Sequence, residues 1–416
     1  DATTGNQLLK LTASDAAASD AFGRSVGISG ATAVVGAWDL SAPANLGSAY
    51  LFDVTTGNEL FKLSSESVAS DAFGWSVGIS GNIAIVGAFQ DNVNGSESGA
   101  AYLFDATTGN QLLKLTASDA AANAAFGWSV GISGNIAIVG APGKGPAGSA
   151  YLFDVTTGAQ LAKLTASDAA AHAFGNSVAI HGDVAIIGDV WDDHAGTYTG
   201  SAYLFDVTTG EKLHKLTASD AAAYDEFGMS VAVSDTVAVV GLIGGDGYGP
   251  GAAYMFDVNT GNQLFKVTAS GGATSDAFGR SVAISGETAI VGDWQDDHAG
   301  TSSGAAYLYE AYVGGILDGD ANLDGTVNGL DLSILAANWQ RTGDSSWATA
   351  DFNGDMITNG LDLSILAANW LTTSSAGDVA INDALLPTGL GNIPDPASVA
   401  LLAGGGPLLT RRRRGA

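Results

Sequence analysis

One block of sequence recurs six times between the first residue and about Tyr312. Each copy contains Phe-Gly-x-Ser-Val, an apolar run ending in Gly, Ala-Tyr-Leu-Phe or a close variant, and in most copies Thr-Gly-x-x-Leu. Successive Phe-Gly pairs lie 48 to 53 residues apart. A period near ~50 residues with about four short strands per unit is typical of a β-propeller blade. The Phe-Gly pairs begin at Phe22, Phe73, Phe126, Phe174, Phe227 and Phe278.

The third repeat illustrates the predicted four strands of a blade. Its first and second strands are predicted at 126–132 and 136–139, separated by turn residues around Gly134. Its third and fourth are predicted at 149–153 and 160–164. The second strand is apolar on both faces, which suits a strand covered by a blade on each side. The fourth carries a lysine, which suits a partly wetted outer edge.

The strand count suggests how the ring closes. The last repeat has no fourth strand after residues 305–309, whereas a fourth-strand pattern at residues 7–11 precedes the first Phe-Gly pair. The N-terminal strand is therefore expected to complete the last of six four-stranded blades, which would remove exposed sheet edges. The alternative is that the chain begins inside a longer array of repeats.

The charge of the chain restricts its partners. Acidic residues number 43 and basic residues 15, which gives a net charge of −28. Because phosphate would be repelled, nucleic acid is excluded as an expected partner, and cations are favoured. The chain has no cysteine, which excludes disulfides, thiolate metal sites and a cysteine nucleophile.

A different pattern begins after Gly315. Oxygen-bearing side chains occupy positions 1, 3, 5, 9 and 12 of a loop that starts at Asp320, and Gly325 stands at position 6, where the chain must turn. This is the EF-hand loop pattern, in which alternate positions supply the many oxygens that Ca²⁺ requires. The predicted ligands are Asp320, Asn322, Asp324, Thr326 through its carbonyl, Asn328 and Asp331.

A second copy of this loop begins at Asp351. Met356 replaces the turn glycine, so the bend is expected to be strained, and calcium binding by this loop is left open. Residues 328–339 and 359–370 are identical, and their leucines and tryptophans recur at helical spacing, so a helix is predicted after each loop. The ligands predicted for the second loop are Asp351, Asn353, Asp355, Ile357 through its carbonyl, Asn359 and Asp362.

The repeats differ most in the loop after the second strand, where several contain tryptophan beside carboxylates. An aromatic ring can stack on the apolar face of a sugar while acids accept its hydroxyl hydrogens. The alternative, which we favour, is that each tryptophan caps its blade while the acids lie in solvent. The candidate glycan-binding residues are Trp38, Asp39, Trp191, Asp192, Trp294 and Asp296.

The C-terminal part contains a linker and a short basic tail. Residues 372–392 are rich in Thr, Ser and Gly and are predicted to be a linker. An apolar stretch at 399–409 is shorter than the ~20 residues that span a bilayer, and arginines follow it, an arrangement typical of sorting signals. The predicted sorting residues are Pro394, Asp395, Pro396, Arg411, Arg412, Arg413 and Arg414.

Three families resemble these segments. Phe126-Gly127 followed by Gly140-Ala141-Pro142 resembles the FG-GAP repeat of integrin-like propellers, although the calcium hairpin of that family is absent. The paired loops resemble a type I dockerin, which implies calcium and a cohesin-like partner. Family recognition involves loop positions 10 and 11, here Gly329-Leu330 and Gly360-Leu361. The tail resembles a PEP-CTERM sorting signal, which implies export, recognition by an exosortase and transient membrane contact.

Together these patterns predict an all-β propeller at 1–312, a small α-helical dockerin-like domain at 318–371, a linker at 372–392 and a sorting tail at 393–416. The expected function is a non-catalytic, calcium-binding scaffold on the outer surface or in the extracellular matrix of a Gram-negative-type bacterium. It would dock to a protein partner or to copies of itself. The alternatives are a carbohydrate-binding propeller and an accessory part of a polysaccharide-degrading system.

Overall fold

The computed structural model describes most of the repeat region and parts of the helical region. The described residues are 7–38, 47–65, 71–145, 147–166, 173–244, 249–269, 277–297, 303–310, 321, 327–340, 350 and 357–370. Contacts divide the chain into two units, Asp1–Ala311 and Tyr312–Ala416.

The first unit contains one antiparallel sheet for each repeat, and in each sheet the strands follow chain order. The predicted six-blade all-β propeller is confirmed. Blade 1 comprises β1 (Phe22–Ser29), β2 (Thr32–Ala37), β3 (Ser48–Asp53) and β4 (Glu59–Leu63), and blade 2 comprises β5 (Phe73–Ser80), β6 (Ile83–Ala88), β7 (Ala100–Asp105) and β8 (Gln111–Leu115). Blade 3 comprises β9 (Ser129–Ser133), β10 (Ile136–Ala141), β11 (Ser149–Asp154) and β12 (Gln160–Leu164), and blade 4 comprises β13 (Phe174–His181), β14 (Val184–Asp189), β15 (Ser201–Asp206) and β16 (Lys212–Leu216). Blade 5 comprises β17 (Ser230–Val233), β18 (Val237–Leu242), β19 (Ala252–Asp257) and β20 (Gln263–Val267), and blade 6 comprises β21 (Phe278–Ser285), β22 (Thr288–Asp293) and β23 (Ala305–Glu310).

The burial of the strands follows their sequence pattern. In β10 every residue after Ile136 is buried, because the strand pairs with β9 and β11 and neighbouring blades cover both faces. In the outer strand β12 half-buried and exposed residues alternate before the buried Leu164, so one face meets solvent. These two strands confirm the predicted inner and outer positions.

In blades 2 to 5 the Phe of the Phe-Gly pair lies between its own blade and the preceding one. Phe126 packs edge-on against Phe153 of its own blade, with ring centroids 5.8 Å apart. The same buried cluster contains Ile85 and Leu103 of blade 2. The hydrophobic core is therefore divided into layers between successive blades, and aromatic rings fill each layer.

Two glycines set the spacing between neighbouring blades. A Cβ placed on Gly127 would lie 2.2 Å from the carbonyl oxygen of Ala100, and one placed on Gly140 would lie 2.1 Å from that of Gly175. A side chain cannot occupy either space, so glycine is required where one backbone approaches another. The same close approach occurs between all five pairs of consecutive blades. In each pair, a Cβ on the glycine of the Phe-Gly pair would lie 2.1 to 2.4 Å from a carbonyl oxygen of the preceding blade.

Among the described residues, no such neighbour covers the outward faces of the first and last blades. A Cβ on Gly23 of blade 1 would have nothing within 4 Å, and the atoms nearest to a Cβ on Gly292 of blade 6 all belong to Ser281 of the same blade. Ile28 of blade 1 is 68% exposed and Leu308 of blade 6 is 71% exposed. The residues that match them in blade 2, Ile79 and Leu103, are buried.

The predicted addition of the N-terminal strand to blade 6 is not found among the described residues. Residues 7–11 belong to no strand, and the sheet of blade 6 has three strands. Leu9 instead contacts Gly57 in the β3–β4 turn, as Phe61 of β4 contacts Gly109 in the next blade. Residues 7–11 therefore lie against the β3–β4 turn of blade 1 in the way that the fourth strand of blade 1 lies against the matching turn of blade 2.

The second unit contains two helices, α1 (Gly329–Ala337) and α2 (Gly360–Ala368), as predicted after each loop. Each ends before its tryptophan, since Asn338 and Asn369 form the C-caps. The buried core described for this unit consists of Ala321, Val327, Leu332, Leu335, Ala350 and Leu366.

Matched substitutions test whether the end faces are open. Replacing Ile79 with Ala removes methyl groups from the layer between blades 1 and 2, so we expect a loss of about 2–4 kcal/mol in the free energy of unfolding. Replacing Ile28 with Ala should cost less than about 1 kcal/mol, because that side chain is 68% exposed. Chemical denaturation of both variants measures the difference. Equal losses would contradict it, since they would mean that Ile28 is buried in solution.

Candidate functional site

The two helices of the second unit begin in the same way. The side chain of Asn328 accepts a hydrogen bond from the backbone N–H of Leu330 at 2.8 Å. The carboxylate of Asp331 accepts one from the backbone N–H of Asn328, also at 2.8 Å. This reciprocal capping box satisfies N–H groups that a helix start leaves without a partner. Asn359 and Asp362 repeat the arrangement at α2 with the same distances.

These four capping residues are also the predicted calcium ligands at loop positions 9 and 12. Asp331 and Asp362 are fully buried. A carboxylate offers about four lone-pair sites, so accepting one N–H leaves capacity for a cation. Buried carboxylate oxygens beside amide oxygens are the donors that a hard cation such as Ca²⁺ selects. The described donor set therefore fits calcium.

The remaining predicted ligands lie outside the described residues, apart from Ile357, whose carbonyl accepts a hydrogen bond from the Asn359 side chain at 3.1 Å. Within the described part of the chain, no three His, Asp or Glu side chains form a metal-binding group. The ligands outside the described residues are Asp320, Asn322, Asp324, Thr326, Asp351, Asn353 and Asp355.

The two halves of this unit are joined directly. Helices α1 and α2 pack against each other, and the backbone N–H of Gln340 donates to the carbonyl of Thr358 at 2.8 Å. Leu330 and Leu361, which immediately precede the capping aspartates, are 44% and 59% exposed. The duplicated sequence thus presents the same exposed leucine at the start of each helix.

The candidate glycan-binding residues have different environments. Trp38 is half-buried and packs edge-on against Trp75, with ring centroids 4.8 Å apart, whereas Trp191 and Trp294 are 48% and 55% exposed. Asp39 lies outside the described residues.

The aspartates beside the exposed tryptophans are buried and already hydrogen-bonded. Asp192 accepts hydrogen bonds from Ser201 and Tyr203, and its oxygen lies 2.7 Å from the Lys215 ammonium. Asp296 accepts one from Tyr307 at 2.9 Å. The expectation that these two acids bind a sugar is therefore wrong, and so is the favoured alternative that they lie in solvent, because the interior of each blade uses their oxygens.

These aspartates belong to a recurring tyrosine–aspartate pair that the sequence analysis missed. In the first five blades a lysine completes this pair to a triad. In blade 2 the Tyr102 hydroxyl donates to Asp91 at 2.6 Å, and the Lys114 ammonium lies 2.8 Å from the same carboxylate. The tyrosine of the third strand faces the lysine of the fourth directly. The signal was present, since this lysine follows the tyrosine by 12 residues in each of the first five blades.

The loop that supplies the aspartate alternates from one blade to the next. In even-numbered blades it follows the second strand and is buried, as at Asp91 and Asp192. In odd-numbered blades it precedes the Phe-Gly pair, as at Asp119, whose side chain is 44% exposed. Recurrence in every blade indicates a structural role, since a catalytic group would be expected at one position. The six aspartates are Asp15, Asp91, Asp119, Asp192, Asp220 and Asp296.

Blade 4 adds a second buried carboxylate beside its triad. Burial, followed by the charge of Asp192, raises the pKa of Asp189 to about 7. Burial also acts to raise the pKa of Asp192, but hydrogen bonds from Lys215 and Ser201 outweigh it and lower the value to about 2. The two neighbouring carboxyls thus titrate at opposite ends of the acidic range.

Comparison with known proteins accounts for both units. The family model for the FG-GAP repeat matches residues 6–52, 63–104, 110–153, 159–205, 211–256 and 262–309, which is more than half of the chain. The chain belongs to the FG-GAP repeat family. The type I dockerin domain matches residues 318–370 of this FG-GAP protein, which covers both capped helices and both loops. Among curated proteins, no relative matches the chain.

The predicted sorting tail of the FG-GAP protein, with Pro394, Asp395, Pro396 and the four arginines, lies outside the described residues. Within those residues, no helix has both the length and the apolar character needed to cross a bilayer.

The raised pKa of Asp189 predicts a pH-dependent stability difference. Near pH 4 the folded-state carboxyl is protonated, whereas above about pH 7 it is ionised in both states and its burial is fully unfavourable. Asp189→Asn keeps an oxygen that accepts the hydrogen bond from the Ala173 N–H. The variant should match the wild type near pH 4 and exceed it by a few kcal/mol, as an order of magnitude, near pH 8. Urea denaturation across this pH range measures the difference, and a constant difference would contradict the assignment.

Proposed function

We propose that this FG-GAP protein is a non-catalytic, exported scaffold of the cell surface or extracellular matrix. Its propeller forms an acidic body, and its dockerin unit docks to a protein partner when calcium is bound. The family matches support the coarse assignment of a propeller scaffold and a docking module. Export and the surface location rest on the predicted sorting tail.

One observation carries the docking proposal. Two identical helices begin with a buried aspartate next to an exposed leucine, at Asp331 beside Leu330 and at Asp362 beside Leu361. Calcium held at the buried aspartates would fix the helix starts, and the leucines would then be presented on two equivalent surfaces. Calcium binding is thus coupled to folding of the docking surface.

The leucines also define the kind of partner. Two exposed aliphatic side chains in an acidic protein favour an apolar pocket on the partner over a polar surface. Because the halves are equivalent, the partner can bind either helix start. A cohesin-like module and a second copy of the chain are the two partners to be tested.

Calcium binding is tested without removing the helix caps. Asp331→Asn keeps an oxygen that accepts the Asn328 N–H but removes the charge. We expect isothermal titration calorimetry to show loss of one calcium site, and thermal unfolding of the helices to lose its response to calcium at that half. Asp362→Asn tests the second loop in the same way. Wild-type protein that binds no calcium and melts identically in chelator would refute the calcium proposal.

Docking is tested at the two leucines. Leu330→Asp and Leu361→Asp should each leave one docking surface intact, whereas the double variant should lower affinity by more than about tenfold, because both apolar contacts are lost. Sedimentation with and without calcium measures self-association, and titration with a type I cohesin module measures binding to that partner. Leu112→Asp, at a propeller residue of similar exposure (46%), is the control. If the double variant binds and associates like the wild type, the leucines are not the docking surface.

A further inference from the structure

Three exposed aromatic rings lie together on two neighbouring loops of the propeller. Trp191 and Tyr198 belong to the loop after β14 of blade 4, and Tyr224 belongs to the loop between β16 and β17. Their ring centroids are 6.0 Å apart for Trp191–Tyr198 and 5.9 Å for Tyr198–Tyr224. The rings are 40–48% exposed. These three residues are called the aromatic platform.

Backbone hydrogen bonds hold the two loops against each other. The N–H of Tyr224 donates to the carbonyl of Thr197 at 2.8 Å, and the N–H of Glu226 donates to that of Tyr198 at 3.0 Å. The side chain of Asp193 accepts the N–H of Tyr198 at 2.7 Å. The platform is thus fixed before any ligand arrives, which lowers the entropy cost of binding.

The same backbone arrangement occurs between blades 2 and 3. There the N–H of Asn123 donates to the carbonyl of Ser96 at 2.7 Å, and the N–H of Ala125 donates to that of Glu97 at 3.0 Å. The side chain of Asn92 accepts the N–H of Glu97 at 2.8 Å.

The side chains at these matched positions are polar. Gln90, Glu97 and Asn123 stand where the platform has Trp191, Tyr198 and Tyr224. Because the loop pair forms with polar side chains, the three rings are not required for its folding. This argues against the interpretation that Trp191 caps its blade.

The tyrosines also occupy unfavourable backbone positions. Tyr198 has φ 52° and Tyr224 has φ 68°, in the left-handed region that bulky side chains rarely adopt. Asn, as at position 123 with φ 60°, tolerates this conformation better. Aromatic residues that oppose the local backbone preference are expected where the side chain itself has a use.

We propose that the aromatic platform binds a neutral, β-linked polysaccharide chain. Sugar rings present apolar C–H faces that stack on aromatic rings, and the tyrosine hydroxyls and the exposed Asp193 carboxylate can bond to sugar hydroxyls. The ring spacing is comparable with the length of one sugar unit. The net charge of −28 disfavours acidic polymers.

The ring orientations further restrict the ligand. The planes of Trp191 and Tyr198 are inclined by 40°, and those of Tyr198 and Tyr224 by 79°. Rings that are not coplanar fit a single twisted chain better than the flat surface of a crystalline polymer. Of the residues that the sequence analysis named as candidate glycan-binding residues, the platform contains only Trp191. The proposal does not depend on the calcium-dependent docking surface.

Calorimetric titration of the full chain with laminarihexaose, cellohexaose and xylohexaose tests the proposal. We expect at least one of them to bind. A triple variant, Trp191→Gln, Tyr198→Glu and Tyr224→Asn, carries the side chains that the matched loops between blades 2 and 3 already have. It should keep the wild-type melting temperature and lose about tenfold or more in affinity.

Trp339→Gln removes an exposed tryptophan (45%) of the second unit, which has no part in the platform, and should leave affinity unchanged. Absence of binding to all three oligosaccharides would overturn the proposal, as would equal binding by the triple variant. If the triple variant instead abolishes self-association of a chain that binds no sugar, the rings form a protein contact and the proposal is wrong.

Discussion

The close approach of backbones at paired glycines determines how the propeller is built. A Cβ on Gly140 would lie 2.1 Å from the carbonyl oxygen of Gly175 in the next blade. No side chain can be accommodated at such a distance, so each repeat must supply glycine on both sides of the contact. The aromatic ring of the adjacent phenylalanine then fills the layer that the approach creates, as Phe174 does beside Ile138 and Leu152 of blade 3. The same contact repeats with each blade, and the stability of the unit therefore comes mainly from interfaces between neighbours.

Each interface between blades has two sides, so a row of six blades has one unmatched side at its first blade and one at its last. In the part of the chain that the structure describes, no neighbouring blade covers Ile28 and Gly23 of blade 1 or Leu308 and Gly292 of blade 6. These are the two sides of the interface that every other pair of blades buries. Arg24 and Arg280 are close enough for the charge of Arg280 to help lower the pKa of Arg24, after the larger effect of burial.

The second unit depends on charge to a greater extent than the propeller does. Its core is small, with Leu332, Leu335 and Leu366 as its main buried side chains, and it also buries the carboxylates of Asp331 and Asp362. A buried carboxylate is costly unless hydrogen bonds and an opposite charge compensate it. Each aspartate accepts one backbone N–H in its capping box, and a bound cation would supply the charge. The two units thus differ in their physical basis: near-identical sheets pack closely in one, and the small core of the other includes two buried carboxylates.

The amino-acid sequence by itself determined the number of blades, the order of strands, the inner and outer positions within a blade and the two helices. Those features follow from periodicity and turn chemistry, which act over a few residues. Only the tertiary structure decided where Leu9 lies, which aspartate completes each Tyr–Lys pair and which tryptophans are exposed. Asp91 and Asp119 lie in different loops with different sequence surroundings, yet each accepts a hydrogen bond from the third-strand tyrosine of its blade. Likewise, Tyr198 and Tyr224 become neighbours only when two loops that are distant in sequence pair through their backbones. Such contacts depend on how successive repeats pack in three dimensions. The spacing of residues within one repeat does not show which loops of neighbouring repeats will meet.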